Sequence, residues 1–180
     1  MAVKDDEIIL GSGKLYLMDY DGKNIPEDTL IETEANSVGR IKGGASLEYK
    51  PTEYEVVDDE GEVVKRFITK EEVTFKSGIL TWAIENLEKL SPAKVTDEPT
   101  KSEKVLKIGG AKALKNYVLR FVHTKDGGNK LRISMVATAG NGFVITFAGD
   151  KETVIDAQFK AISQEDGTLV EIRDGYKKLP

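Results

Sequence analysis

From Val38 to Leu90 the chain reads VGRIKGGASLEYKPTEYEVVDDEGEVVKRFITKEEVTFKSGILTWAIENLEKL, and its polar and apolar positions change period more than once. Ile41, Gly43, Ala45, Leu47 and Tyr49 alternate with Arg40, Lys42, Gly44, Ser46 and Glu48, the two-residue period of a strand with one buried face. The small residues at its centre imply close approach by a neighbouring backbone. Residues 53–68 predict a charged hairpin that turns at Asp59-Glu60-Gly61, where glycine supplies a positive φ. Val73 and Phe75 then alternate inward. Ile79, Leu80, Ala83, Ile84, Leu87 and Leu90 recur at helical spacing, which predicts a helix over 78–90. Ser77 is its expected N-cap and Ser91-Pro92 its stop.

The hairpin breaks the pattern of its surroundings. On the outgoing arm Tyr54 and Val56 share one parity and Val57 has the other. On the return, Val64 and Ile68 share one parity, Val63 and Phe67 the other. A hairpin solvated on one side alternates cleanly, and one that pairs only with itself is marginal in water. These seven residues therefore predict a contact surface, supplied by the rest of the domain or by another subunit.

Elsewhere the chain alternates short apolar runs with turn signals. Residues 1–9 form an acidic arm, and strands are expected over 14–18 and 29–33, with a turn between them at 19–24. Residues 96–103 read as a polar loop, 105–108 as a strand, and Gly109-Gly110 as a flexible link. Further strands are expected over 116–124, 130–137, 143–147, 153–162 and 169–173, before a loose tail over 174–180. Leu131, Ile133 and Met135 share one face of their strand, as do Ile155, Ala157, Phe159 and Ala161 of theirs. A strand about every ten residues predicts a mainly β fold, an antiparallel β-sandwich or barrel with one flanking α-helix. The 180 residues read as a single domain, 1–180.

Composition narrows the chemistry. The chain is 39% hydrophobic and 32% charged, ordinary for a globular protein. It has no cysteine, which excludes disulfides, thiol catalysis and thiolate metal sites. No apolar run is long enough for a membrane helix, and the acidic start lacks a signal-peptide core, so synthesis and function in the producing cell's cytoplasm are expected. With 26 basic and 31 acidic residues the net charge is -5, which disfavours tight phosphate binding and is compatible with a surface past which DNA slides.

His123 is the only histidine, and it reads as a surface or structural residue. No G-x-S-x-G elbow and no Walker A string occur. Gly11-Ser12-Gly13 and Gly140-Asn141-Gly142 read as turns. Asp5-Asp6-Glu7 and Asp58-Asp59-Glu60 lack the spacing of an EF-hand loop and read as solvated. Trp82 reads as a packing or interface residue in the helix. The residues point to a non-enzyme, with no catalytic, cofactor-binding or metal residue.

The string Val38-Gly39-Arg40-Ile41-Lys42-Gly43-Gly44-Ala45 continues through Ser46-Leu47-Glu48-Tyr49-Lys50-Pro51, the charged hairpin and Phe75-Lys76-Ser77-Gly78-Ile79-Leu80. This stretch resembles the major tail tube proteins of long-tailed, siphovirus-type bacteriophages of Gram-positive hosts. Leu10-Gly11-Ser12-Gly13-Lys14-Leu15-Tyr16 is similar to the opening of such proteins. The resemblance implies a fold related to the tube proteins of contractile tails and type VI secretion. It also implies a structural subunit that forms hexameric rings, stacked into the hollow tube through which DNA is ejected. The place implied is the virion tail, after assembly in the host bacterial cytoplasm. The implied partners are further copies of the chain and the tape measure, distal tail and tail terminator proteins. Double-stranded DNA would pass non-specifically through the lumen, with no membrane insertion and no cofactor.

Carried over to this chain, the resemblance makes the hairpin 53–68 a subunit interface, with Tyr54, Val56, Val57, Val63, Val64, Phe67 and Ile68 as its contact residues. The arms 1–9 and 174–180 would reach between subunits and rings. The alternatives are the inner tube of a contractile tail or phage-tail-like bacteriocin, and a monomeric β-sandwich binding module. A carboxylate hydrolase is a third. The binding module predicts an exposed aromatic platform, against which an aromatic share of 7% counts.

Overall fold

The structure is a computed structural model and describes residues 11–110, 113–140 and 142–175. Its strands are β1 (Lys14–Asp19), β2 (Ile41–Val57), β3 (Val63–Ile79), β4 (Val95–Glu98), β5 (Glu103–Leu106), β6 (Tyr117–Thr124), β7 (Lys130–Thr138), β8 (Phe143–Ile145), β9 (Ile155–Ala161) and β10 (Glu171–Asp174). Two short helices interrupt them, α1 (Asp28–Ile31) and α2 (Ile84–Lys89). The fold is mainly β, and all strand pairs are antiparallel. The main sheet runs β1-β6-β7-β9-β3-β2, with β10 added to β7 and β8 to β9, while β4 and β5 pair as a separate ribbon.

Register explains how one sheet becomes two layers. On its edge away from β6, β7 pairs with β10 through Leu131 to Ser134, and then with β9 only through Ala137 and Thr138. The halves β1-β6-β7-β10 and β2-β3-β9-β8 therefore meet at one corner. Phe75 of β3 and Phe121 of β6 lie three strand steps apart, which in a flat sheet would separate them by about 14 Å. Their ring centroids are 5.7 Å apart, so the sheet folds back on itself as a sandwich. Leu15, Leu17, Val73, Leu119, Met135, Ile155 and Phe159 fill the space between the halves, and Leu87 and Leu90 from α2 and its C-cap join them. The inward faces of β7 and β9 match the alternation in the sequence.

Four expectations need correction. The helix of 78–90 shrinks to Ile84–Lys89, because β3 continues through Ser77, Gly78 and Ile79, paired with β9 on one side and β2 on the other. Ala83 is extended (φ -149°, ψ 129°), and Ser77 donates its hydroxyl to the Gly44 carbonyl (3.1 Å) rather than capping a helix. Ile79 is fully buried as the last strand residue, so the apparent helical period joins a strand end to a short helix. Residues 29–33 are not a strand: α1 spans Asp28–Ile31, burying Ile31 against Tyr16, Val118 and Val122. The polar loop 96–103 is partly strand, since β4 and β5 pair across it.

The fourth correction concerns Gly43 and Gly44. Both have positive φ (76° and 73°), and nothing lies within 4 Å of a Cβ built on either. They form a bulge that shifts the register between Lys42 and Ala45. Two residues are inserted, so Ile41 and Leu47 still pack on the same core. Close approach occurs one strand away, where a Cβ on Gly78 would stand 2.6 Å from the Lys42 carbonyl oxygen. Gly78→Ala is expected to lower stability by about 1–3 kcal/mol through overpacking, measured by thermal unfolding.

The tail of 174–180 begins inside the sheet, with Asp174 ending β10 and the Gly175 N–H donating to the Lys130 carbonyl (3.0 Å). The arm 1–9 and residues 176–180 lie outside the described residues.

Candidate assembly interface

Strands β2 and β3 are each 17 residues long, far longer than the body that holds them. The last residue of β3 to pair with β9 is Thr74, opposite Lys160. From Glu72 back to Val63, β3 pairs with β2 alone and adds nothing to the core, so 50–57 and 63–72 project as a two-stranded arm about 30 Å long. A free ribbon of this kind is marginal in water.

All seven hairpin residues singled out in the sequence lie on this arm, and none belongs to either core cluster. Tyr54 is 61% exposed, Val57 51%, Val63 43%, Val64 59%, Phe67 46% and Ile68 58%, and Val56 is half-buried. The register shows why the parity looked irregular. Extra residues in β3 shift it between Thr52 and Glu53, and again between Val56 and Val57. Tyr54 then stands opposite Phe67, and Val56 opposite Lys65, on one face. Ile68 opposite Glu53, Arg66 opposite Glu55, and Val63 opposite Val57 make the other. Val63, which shares sequence parity with Phe67, thereby moves to the opposite face.

Local interactions along the arm leave its apolar groups open. Lys65 Nζ lies 4.6 Å from the Phe67 ring centroid, and Arg66 Nε donates to Glu55 (2.7 Å). Exposed pairs of this kind contribute little to stability. At the turn, the Asp58 carboxylate accepts the backbone N–H groups of Glu60 (3.0 Å) and Glu62 (2.9 Å), so this acidic cluster shapes the turn. Among the described residues no group of three or more histidine, aspartate or glutamate side chains is arranged to hold a metal ion.

A second pair of exposed apolar side chains stands at the N-terminal end of α2. Trp82 is 56% exposed and Phe147 74%, with ring centroids 6.2 Å apart, and Val144, Ile108 and Leu114 are exposed as well. Trp82 escapes the helix because Ala83 is extended. Phe147, Ile108 and Leu114 were not picked out from the sequence. The available signal was KVLKIGGAKALK at 104–115, which carries four lysines and no acid.

The other titratable groups serve the fold. Arg120 is buried on the outer face of β6 and donates to Asp28 (2.7 Å) and Glu32 (3.3 Å) of the α1 segment. Arg132 and Lys130 donate to Glu32 (2.6 and 2.9 Å), and Arg173 pairs with Asp28. The Arg173 hydrogen bond, joined by Arg120, holds the Asp28 carboxyl down at about 2 against the opposing effect of burial. Burial is the largest single influence on Glu32 and pushes it up, but Arg132 and Lys130 together bring it below its ordinary value. His123 is buried, with Nδ1 against the Ser12 carbonyl oxygen where the chain enters β1.

No protein-family model matches this chain, and no curated protein matches it. Among the described residues no helix is long and apolar enough to cross a membrane.

Proposed function

We propose that the chain is a structural subunit that self-assembles into hexameric rings, stacked as the hollow tail tube of a long-tailed bacteriophage. The observation that carries this reading is the arm of β2 and β3, which exposes apolar side chains on both faces and has no cover among the described residues. Burial of such groups against a neighbour turns a marginal ribbon into a stable element. Strand β2 is also a long sheet edge, paired only with β3. Such edges invite uncontrolled pairing, and joining them around a ring removes the liability. In this reading the tube stands in the virion tail and conducts double-stranded DNA without binding it tightly, in keeping with a net charge of -5. Its other contacts are the tape measure, distal tail and tail terminator proteins.

The test is negative-stain electron microscopy of concentrated protein. Wild type is expected to form rings or tubes, whereas a variant with 53–68 replaced by a short Gly-containing turn stays monomeric with its body folded. Tubes that persist without the arm remove its role, and a wild type that stays monomeric at every concentration removes the reading itself.

A further inference from the structure

Three polar atoms on the outer face of the β1-β6-β7-β10 half are enclosed and, among the described residues, make no hydrogen bond. They are Arg120 Nε, Ser134 Oγ and Arg173 Nε. Strand pairing puts them together. Arg120 of β6 stands opposite Ser134 of β7, and Ser134 opposite Glu171 of β10, in one row across three strands. Arg173 follows two residues along β10, on the same face. Over this face an open cleft of about 450 Å³ lies between residues 25–29 and Arg120, Glu171 and Arg173. Ser134, flanked by two of those wall residues, stands at its floor. Arg120 and Ser134 are 1% and 0% exposed, so neither can turn to bulk water for a partner.

Leaving buried donors unpaired is costly, and three such atoms in one place mark the position of a bound species. Donors also outnumber acceptors here. Arg120, Arg132 and Arg173 share two enclosed carboxylates, Asp28 and Glu32. Three guanidinium groups carry about fifteen N–H donors, whereas two carboxylates accept at about eight sites. Glu171 comes within 3.4 Å of Arg173 Nε without hydrogen-bonding geometry. With Lys130 and Glu27 it stands on the solvent side, where such charges are screened. One further negative charge balances the three arginines, which a water molecule does not.

We infer that the cleft between 25–29 and β10 binds one small monovalent anion, a halide or a carboxylate of formate size. Arg120 and Arg173 hold it, and the Ser134 hydroxyl completes its hydrogen bonds. Enclosure of these atoms admits only a small species that sheds its water. Bound there, the anion ties the segment leading into α1 to β10. The inference does not rest on the assembly reading, because the arm grows from the other half of the sandwich.

The test uses the full chain, with chloride titrated against sodium gluconate at fixed ionic strength. Wild type is expected to broaden the chloride NMR line saturably, and Arg120→Met to lose that broadening. Formate that narrows the wild-type line identifies a site for small carboxylates as well, and a line that formate leaves unchanged identifies a halide site. Unfolding gives an independent readout. The wild-type midpoint should climb with chloride, as binding to the folded state requires, and that of Ser134→Ala should climb less. Without chloride, Ser134→Ala should be no less stable than wild type, since it removes a buried hydroxyl that has no partner. Ordered water in place of an anion would give no saturable broadening and one chloride response in all three proteins. That result overturns the inference.

Discussion

Phe75→Ala is expected to lower the stability of the folded chain by about 3–5 kcal/mol, read as a fall in the midpoint of guanidinium unfolding at unchanged slope. Phe75 has no exposed surface and packs against Phe121 of the opposite half of the sandwich. Its strand is paired on both sides at that position, with Leu47 and with Phe159. The backbone therefore cannot collapse into the space left behind, and the variant loses both the transfer free energy and the contacts lining the cavity. Phe67→Ala is the matched control. That ring is 46% exposed on the arm, and its loss should change monomer stability by no more than about 0.5 kcal/mol. Equal effects at the two positions would contradict the two-layer packing.

The second large effect comes from the ionic cluster behind β6. Glu32→Ala is expected to cost about 3 kcal/mol, because it removes the carboxylate that pairs Lys130 and one of the two that pair Arg132 and the buried Arg120, leaving Asp28 alone against three arginines. Arg120→Met is expected to cost far less, since Asp28 keeps Arg132 and Arg173 and Glu32 keeps Arg132 and Lys130. The asymmetry separates a buried ion pair that adds net stability from one that is merely expensive to break. Chemical denaturation of the two variants at neutral pH measures it.

The same cluster sets an acid limit. Both carboxyls lie below their ordinary values in the folded state, so their contribution is complete above the unfolded carboxylate range, about pH 4–4.5. It is lost as pH falls toward the folded value of Asp28, about 2. Wild-type stability should drop across that window, and Glu32→Ala should drop less steeply there. A wild-type profile flat from pH 5 to pH 2 would contradict this assignment.

Particular elements show how much of the fold is written in local sequence. The inward face of β9 was legible because strand period and burial coincide there, with Ile155, Ala157 and Phe159 buried, whereas β7 is covered on both faces from Ser134 to Ala137. The hairpin was legible as an element, and its seven residues stand clear of both core clusters. The helix of 78–90 misled because Ile79 and Leu87 are buried by different elements, the strand end and the short helix, at a spacing that imitates a single one. The α1 segment misled because Asp28, Ile31 and Glu32 are placed by partners far along the chain, Arg120, Arg132 and Arg173, which no local window contains.

The sequence by itself determined the class of the fold, the strand faces and the existence of a hairpin too apolar for its own good. Those are local properties, fixed by side-chain alternation and by glycine at turns. Only the tertiary structure decided that the sheet folds at the β7–β9 corner, that α1 is clamped by a cluster of arginines, and that the hairpin begins far earlier than its charges announce. It also separated the arm tip from the aromatic pair of Trp82 and Phe147 by the full length of β2 and β3. These depend on which strands pair and where their register shifts, and register is settled by contacts between residues distant in sequence.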